Sequence, residues 1–589
     1  MTSWSPPLSA DNERDASSLR QWGIRFAIVA SCFAVLAPTL RWLDFFHAEE
    51  NVVVATALEM RRTGSWLVPT LQGKPRTIKP PLTVWVTAAA IRQRTLRDLD
   101  SPEANVRHAA LRDLAFETRW PTVIAAGLML VAVYELARAT GGTRFGVLSA
   151  CVGGSCWFFL VRQGSKNTVD LQLALWVSWA NACLAWAVLR GRAWSGFIGA
   201  GIALGLATMS KGPAVPLLQS VVPLGLFLLW RKAATDRAAR PRIRLAPVLA
   251  AAGLMLAVGL WWYVLVLARS PEIARVWWAE LTRYGANDLE TGRWHHYLRA
   301  LRFLFPWLGW LVIGLAAGAV VLVQKRHDDR LLALLLAVVP LVVMNLFDER
   351  KERYLIPLIG PLAIVAAWPV MEHLRNAPQW EAWESVGSVV HWLGLAVVAI
   401  ALPVAGMVGL EKMRGVDGRP WYAPAVALPS LVAMSVIVAA CLAAYRRNRA
   451  AMVTATVLVM AVAQAQYVRG FSRDPAGVSD MGAVADAIWS AAAPGARVYS
   501  HYSGDRPGIV FMPGVDLSIY MNRPVPLAPD PAALGRAERA QVIVAVARKN
   551  EPAPAMPPAE AGWQLLRSLD RPNGEKWRVF LLPPSDANR

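Results

Sequence analysis

With 589 residues, 55% of them hydrophobic and only 17% charged, the chain is too apolar to be a soluble protein of several compact domains. Its apolar residues gather in blocks that approach or exceed the ~18 residues needed to cross a bilayer, so the fold class is an α-helical polytopic membrane protein. The net charge of +20 falls largely in short gaps between those blocks, which assigns it to membrane topology and excludes a nucleic-acid partner.

The polar lead, residues 1–22, is expected to be cytoplasmic and is followed by a first helix without a small-residue cleavage site, hence a retained helix. Apolar blocks then predict about thirteen spans within a 23–468 membrane domain: 23–41, 120–137, 145–161, 170–189, 194–210, 213–230, 245–268, 304–323, 331–347, 354–372, 387–409, 423–444 and 451–468. The stretch 80–92 is apolar but too short to cross, and is expected in or beside the membrane surface. All five cysteines, Cys32, Cys151, Cys156, Cys183 and Cys441, lie in or beside apolar segments, so neither a disulfide framework nor a Cys-based metal site is expected. The 27 tryptophans suit interfacial anchors.

Starting from inside, alternate gaps carry Arg138 and Arg144, Arg190 and Arg192, Arg231 to Arg244, Lys325 to Arg330, and Arg446 to Arg449. That one-sided run of bases orients the protein with its N-terminus in the cytoplasm of a cell inner (plasma) membrane. It also requires that 80–92 not cross, because a crossing there would swap the later loops. The outward gaps, 42–119, 162–169, 211–212, 269–303, 348–353 and 410–422, mix acids, bases, aromatics and histidines, so any site is expected on the outer face. The tail, 469–589, is less hydrophobic; a helix-like 480–491 and strand-like 497–502, 541–548 and 576–582 predict a small extracytoplasmic α/β domain.

The first outer gap, 42–119, opens on Asp44, His47, Glu49 and Glu50 at the membrane boundary, where ionisable side chains are costly unless paired or hydrated. A solvated helix face is the plain alternative to a functional cluster. Residues 93–118 show a rough amphipathic pattern and are expected to lie over the outer membrane surface; His108 there has Leu111 and Arg112 as same-face neighbours and is a poor metal ligand.

The run Glu49 to Pro81 resembles the first outer loop of the aminoarabinose transferase and protein O-mannosyltransferase superfamily, the membrane-embedded GT-C glycosyltransferases. The matching positions are Glu49-Glu50, Glu59-Met60, Gly64 to Pro69 and Lys79-Pro80-Pro81. Further elements keep the family order: Arg119-Trp120-Pro121, Arg162 with Asp170, Lys211-Gly212-Pro213, Arg283-Tyr284, His296-Tyr297, Pro306-Trp307, and Glu352-Arg353-Tyr354 with Pro357. The likeness covers about residues 40–370; any one motif is weak, and their order is what carries it.

The resemblance implies inverting transfer of a sugar from a polyprenyl-phosphate donor to a hydroxyl on a lipid, glycan or protein acceptor. It implies Glu49 and Glu50 as the catalytic acids, with Glu49 as general base, and Lys79, Lys211, Arg283, Arg353 and Arg162 as donor-phosphate ligands. Asp170, His296, Tyr297 and Tyr354 complete the site on the acceptor side, and a divalent metal ion, if any, would use Glu49 and Asp170. Three positions depart from the family. Glu49 replaces an aspartate and reaches about 1 Å further; Val53 replaces a tyrosine; and Ile78 stands where the aminoarabinose transferases have a metal-serving glutamate, which argues against that metal site. Protein O-mannosylation is the alternative within the class. A lipid or solute flippase is the alternative outside it, and would call for a second copy of the 49–81 pattern, which the sequence lacks.

Overall fold

The computed structural model describes residues 18–42, 44–45, 47–234, 244–282, 297, 301–325, 328–346, 351–375, 381–407, 424–471, 480–491, 496–502, 513–528, 539–547, 552–554, 562–570 and 576–583. A bilayer offers no hydrogen-bond partners, so each apolar block satisfies its backbone internally as a helix. Among the described residues, ten helices are long and apolar enough to cross a membrane, beginning with α1 (Ser18–Leu36) and its 3-10 extension to Trp42. The others are α5 (Ala104–Gly141), α7 (Val169–Leu189), α8 (Ala193–Lys211), α9 (Ala214–Ala233), α10 (Leu245–Arg269), α14 (Ile359–Leu374) with the 3-10 turn Glu352–Leu358 leading into it, α15 (Glu381–Met407), α16 (Pro424–Tyr445) and α17 (Ala451–Phe471).

The expected thirteen is therefore not reached by length alone. The apolar helices α12 (Leu308–Val323) and α13 (Leu331–Met344) are shorter. The block 145–161 is not one continuous helix: α6 (Thr143–Ser155) stops where Cys156 turns extended, and a π-helical turn, Phe158–Gln163, takes over. That widened turn aims Arg162 and the loop behind it at the polar end of the bundle.

That end is built by four short elements: α2 (Ala48–Thr63), the hairpin β1 (Thr70–Leu71) and β2 (Lys74–Pro75), α3 (Leu82–Ala90) and α4 (Gln93–Leu99). Gly64, at φ 70°, ends α2 in the left-handed conformation and returns its N–H to Met60 O. Glu59 caps the hairpin, accepting the N–H groups of Gln72 and Gly73 at 2.5 and 3.1 Å. At nine residues α3 is too short to cross, as its sequence predicts. Three indoles pin the connecting loop: Trp85 Nε1 donates to Trp66 O at 2.7 Å, Trp262 Nε1 to Leu67 O at 2.8 Å, and Trp277 Nε1, on α11 (Ile273–Thr282), to Thr77 O at 2.8 Å.

Residues 93–118 do not form a separate surface layer. From Ala104 they are the first turns of α5, whose 38 residues run roughly 57 Å against a hydrocarbon core of ~30 Å. The excess projects from the bundle and becomes a docking post for the tail.

The tail contains α18 (Asp480–Ala491), α19 (Pro513–Tyr520) and a four-stranded sheet, β3 (Arg497–Tyr502), β4 (Gln541–Ala547), β5 (Gln564–Asp570) and β6 (Lys576–Leu582), in the order β3-β4-β6-β5. The pair β3/β4 is parallel, with Val498 opposite Val542; β4/β6 and β5/β6 are antiparallel, with Val544 opposite Val579. Every residue of β4, QVIVAVA, is buried, as befits a central strand covered on both faces. Met481, Val484 and Ile488 of α18 and Leu517 of α19 share one core with Leu114 of α5 and Val54 and Leu58 of α2. Arg107 Nη2 reaches Asp486 Oδ1 at 2.6 Å, and His108 Nε2 lies 2.7 Å from the other oxygen of the same carboxylate.

Candidate active site

Four segments far apart in sequence meet at the polar end. Asp170 sits in the first turn of α7, where a negative charge is favoured by the helix dipole. Lys211 closes α8, where a positive charge is favoured; Gly212, at φ 106°, ends that helix with its N–H on Thr208 O, which explains the Lys-Gly-Pro order. Arg353 and Tyr354 lie in the 3-10 turn Glu352–Leu358, and Glu49 in the first turn of α2.

Asp170 is almost wholly buried and holds two cations at once. Its Oδ1 accepts Lys211 Nζ, and its Oδ2 lies 3.1 Å from Arg353 Nε. Arg353 also pairs through Nη1 with Glu49 Oε1. Both cations lie on the ring of Tyr354, Lys211 at 3.9 Å and Arg353 at 5.6 Å from its centre. Lys79, half-buried, is near enough for its charge to act on Lys211. Lys79, Lys211 and Arg353 thus outnumber the carboxylates Glu49 and Asp170, leaving a surplus positive charge suited to an anion.

Glu50 faces away from this group. Its carboxylate forms a bidentate pair with Arg119, Nε to Oε1 at 2.7 Å and Nη2 to Oε2 at 2.8 Å, with both side chains 1% exposed. Oε1 also accepts the N–H of Asn167 at 3.1 Å. Arg119 further donates to Leu40 O at 3.2 Å and Asp44 O at 3.0 Å, and its guanidinium lies 4.8 Å from the Phe45 ring centre. These contacts tie Glu50 and Arg119 together and brace the N-terminus of α2.

Arg162 pairs with Glu352 at 3.1 Å, beside Arg353 in sequence, and so anchors the 3-10 turn. Between these groups a small cavity is lined by His47, Glu50, Arg119, Ser165, Lys166 and Tyr467. Burial pushes the Lys166 ammonium down to about 8; Arg162 and Arg119 press the same way, against Glu50 and Glu49. Burial likewise holds His47 well below its usual range, reinforced by Lys166, Arg119 and Arg162.

Of the residues singled out in the sequence, Glu49, Asp170, Lys211, Arg353 and Tyr354 are in one cluster, with Lys79 beside it. Tyr297 is fully buried in the main apolar core with Trp307. Arg283 and His296 lie outside the described residues. The donor set fits a divalent ion poorly as it stands: Glu49 and both Asp170 oxygens are taken by cations, and no group of three His, Cys, Asp or Glu side chains able to hold a metal occurs among the described residues. Sequence reasoning gave no role to Lys166, Asn167 or Glu352. Their signal was faint: Lys166 and Asn167 lie between Arg162 and Asp170 with no pattern of their own, and Glu352 is in its motif only as the neighbour of Arg353.

A match to the family described as dolichyl-phosphate-mannose-protein mannosyltransferase covers residues 109–262. Among curated proteins, the undecaprenyl phosphate-alpha-4-amino-4-deoxy-L-arabinose arabinosyl transferase 1 of Pseudomonas fluorescens is 26% identical over 366 residues, 60% of this chain and 61% of that protein. The corresponding transferase 2 of Proteus mirabilis is 26% identical over 391 residues, 64% of this chain and 63% of that protein. The matched region thus spans less than two thirds of these relatives' length. The crystal structure of ArnT from Cupriavidus metallidurans bound to undecaprenyl phosphate superposes with a TM-score of 0.68 at 16% identity, covering 97% of this chain and 100% of that one. The apo form of that protein gives 0.65 at 17% identity, again over 97% of this chain and 100% of that one. Residues 109–262 thus match the dolichyl-phosphate-mannose-protein mannosyltransferase family, and the chain as a whole shares the fold of ArnT.

Proposed function

We propose that the protein transfers a sugar from a polyprenyl-phosphate donor to a hydroxyl acceptor, with inversion, at the outer face of a cytoplasmic membrane. The observation that carries this reading is the convergence of Glu49, Asp170, Lys211 and Arg353 from four distant segments into one ion-paired cluster. Lys211, Arg353 and Lys79 are the groups that take the donor phosphate, and Asp170 holds two of them in place. Glu49 is the base: its carboxylate is about one third exposed, whereas that of Asp170 is 2% exposed. Arg353 is shared between Glu49 and Asp170, and an arriving phosphate competes for it and frees Glu49. The acceptor oxygen then attacks the anomeric carbon while Glu49 takes its proton. The bond from that carbon to the phosphate oxygen breaks, and its electron pair remains on the polyprenyl phosphate, stabilised by the cations.

The curated relatives named above support a polyprenyl-phosphate sugar as donor. Membranes carrying the protein, supplied with a polyprenyl phosphate bearing a labelled sugar, should pass label to a lipid, a glycan or a protein, and the labelled fraction identifies the acceptor. No transfer by the parent, with equal uptake of intact donor across the membrane, would instead support a flippase.

A further inference from the structure

The first turn of α2, which carries Glu49, is gripped from the tail. Asn51, fully buried, donates through Nδ2 to Asp516 Oδ1 at 2.7 Å and to Phe45 O at 3.2 Å. Tyr520, four residues after Asp516 and so on the same face of α19, donates to Asp44, and its ring meets Phe45 edge-on at 6.4 Å between centres. From the opposite side Arg119 holds Asp44 O and Glu50. A third tie lies at the hairpin: Gln72 donates to Gly514 O at 2.9 Å and accepts the Val525 N–H at 2.5 Å. A Cβ at Gly514 would fall 2.0 Å from Val525 O, so only glycine lets the start of α19 pack this closely on the Val525 segment, and Gln72 binds the two together.

From these contacts we infer that α19 sets the position of the catalytic carboxylate, with Asp516 and Tyr520 as positioning residues acting on Glu49 through Asn51 and the Asp44–Phe45 loop. The inference rests on Glu49 being the base. Helix α2 is short and rigid, and Glu49 precedes Asn51 by two residues, so a shift of the Asn51 anchor moves Glu49 with it. A displacement of about 1 Å at a reacting group costs up to about a hundredfold in rate. The tail is then a part of the catalytic machinery's frame, joined to it by directional hydrogen bonds as well as by apolar packing.

The test uses the full-length protein in membranes. Asp516→Ala removes the acceptor and should lower kcat about tenfold or more with donor KM unchanged. Asp516→Asn keeps an oxygen facing Asn51 Nδ2 and should retain most of the parent rate. Tyr520→Phe keeps the ring and loses the Asp44 bond, giving a smaller fall in kcat. Asn51→Asp sets two carboxylates face to face; they will share a proton at lower pH, so its rate relative to the parent should rise as pH falls. That pH signature serves even if Asp516→Ala does not fold. Parent kcat in Asp516→Ala and Tyr520→Phe, equal losses in Asp516→Ala and Asp516→Asn, or a pH-independent Asn51→Asp ratio would overturn the proposal. Glu49→Gln, measured alongside, separates the two claims: full rate there sinks the base assignment, whereas a dead Glu49→Gln with a fully active Asp516→Ala sinks only the coupling.

Discussion

Arg353 Nε lies 3.1 Å from Asp170 Oδ2, while the other oxygen of the same carboxylate accepts Lys211. One buried acid therefore sets the spacing of two cations that come from separate helices far apart in sequence. Asp170→Asn would leave both under-compensated in a low-dielectric site. Loss of one partner from a buried ion pair costs about 3–5 kcal/mol. The expected outcome is a rise in donor KM together with a fall in kcat/KM of about a hundredfold or more, because phosphate binding and leaving-group stabilisation both weaken. Steady-state transfer with varied donor concentration checks it; an unchanged KM would remove Asp170 from the phosphate frame.

Glu49 shares Arg353 with Asp170 but differs from it in being about one third exposed. Glu49→Gln keeps the shape and loses the proton acceptor, so transfer should fall by about 10²–10⁴-fold while donor affinity holds or improves, Arg353 being released to the phosphate. Glu49→Asp keeps a carboxylate within about 1 Å of the same place and should retain measurable activity. Transfer rate beside donor binding, measured on the same membranes, separates the two effects.

Much of this arrangement was legible in the sequence because membrane proteins write topology in their loops. The basic gaps around Arg138, Arg190, Arg330 and Arg449 give an expected parity that puts Glu49, Lys79, Asp170, Lys211 and Arg353 on one side, and the fold brings these residues together. Strands β3, β4 and β6 were equally plain, since alternating or continuous β-branched runs have few other uses. What the sequence hid is pairing. Glu49 and Glu50 are adjacent letters with the same chemistry, and only the helix, turning 100° per residue, sends one to Arg353 and the other to Arg119. The projection of α5 was hidden as well: an amphipathic stretch at 93–118 looks alike whether it lies on a membrane or stands out to receive another domain. The register between Asn51 and Asp516, 465 residues apart, leaves no local trace at all.

Glu50 and Arg119 should behave as structure, not as catalysis. Their pair is bidentate, buried and further tied to Leu40 O, Asp44 O and Asn167 N–H. Glu50→Ala or Arg119→Ala should each destabilise by about 3–5 kcal/mol, seen as a lower unfolding temperature in detergent. The paired substitution Glu50→Leu with Arg119→Met should recover much of that loss, since an apolar pair carries no desolvation cost. A single variant with parent stability and no transfer would contradict this and return Glu50 to the reaction.

Lys166 supplies a prediction whose sign follows from burial. Its ammonium is pushed down to about 8, chiefly by desolvation, whereas in the unfolded chain it keeps the ordinary lysine value of about 10.4. Between those two values the unfolded chain binds more protons at this group than the folded one, so this lysine makes stability rise with pH. Below the lower value both states are protonated and the full cost of burying the charge is present; above the higher value both are neutral and the cost has gone. Lys166→Met should therefore raise the unfolding temperature at pH 7, and the gap between variant and parent should close as pH climbs through the window. Thermal unfolding of both proteins across that range checks it. A gap that stays constant with pH would mean that the ammonium is compensated in the cavity it shares with Glu50, and that its burial costs the fold nothing.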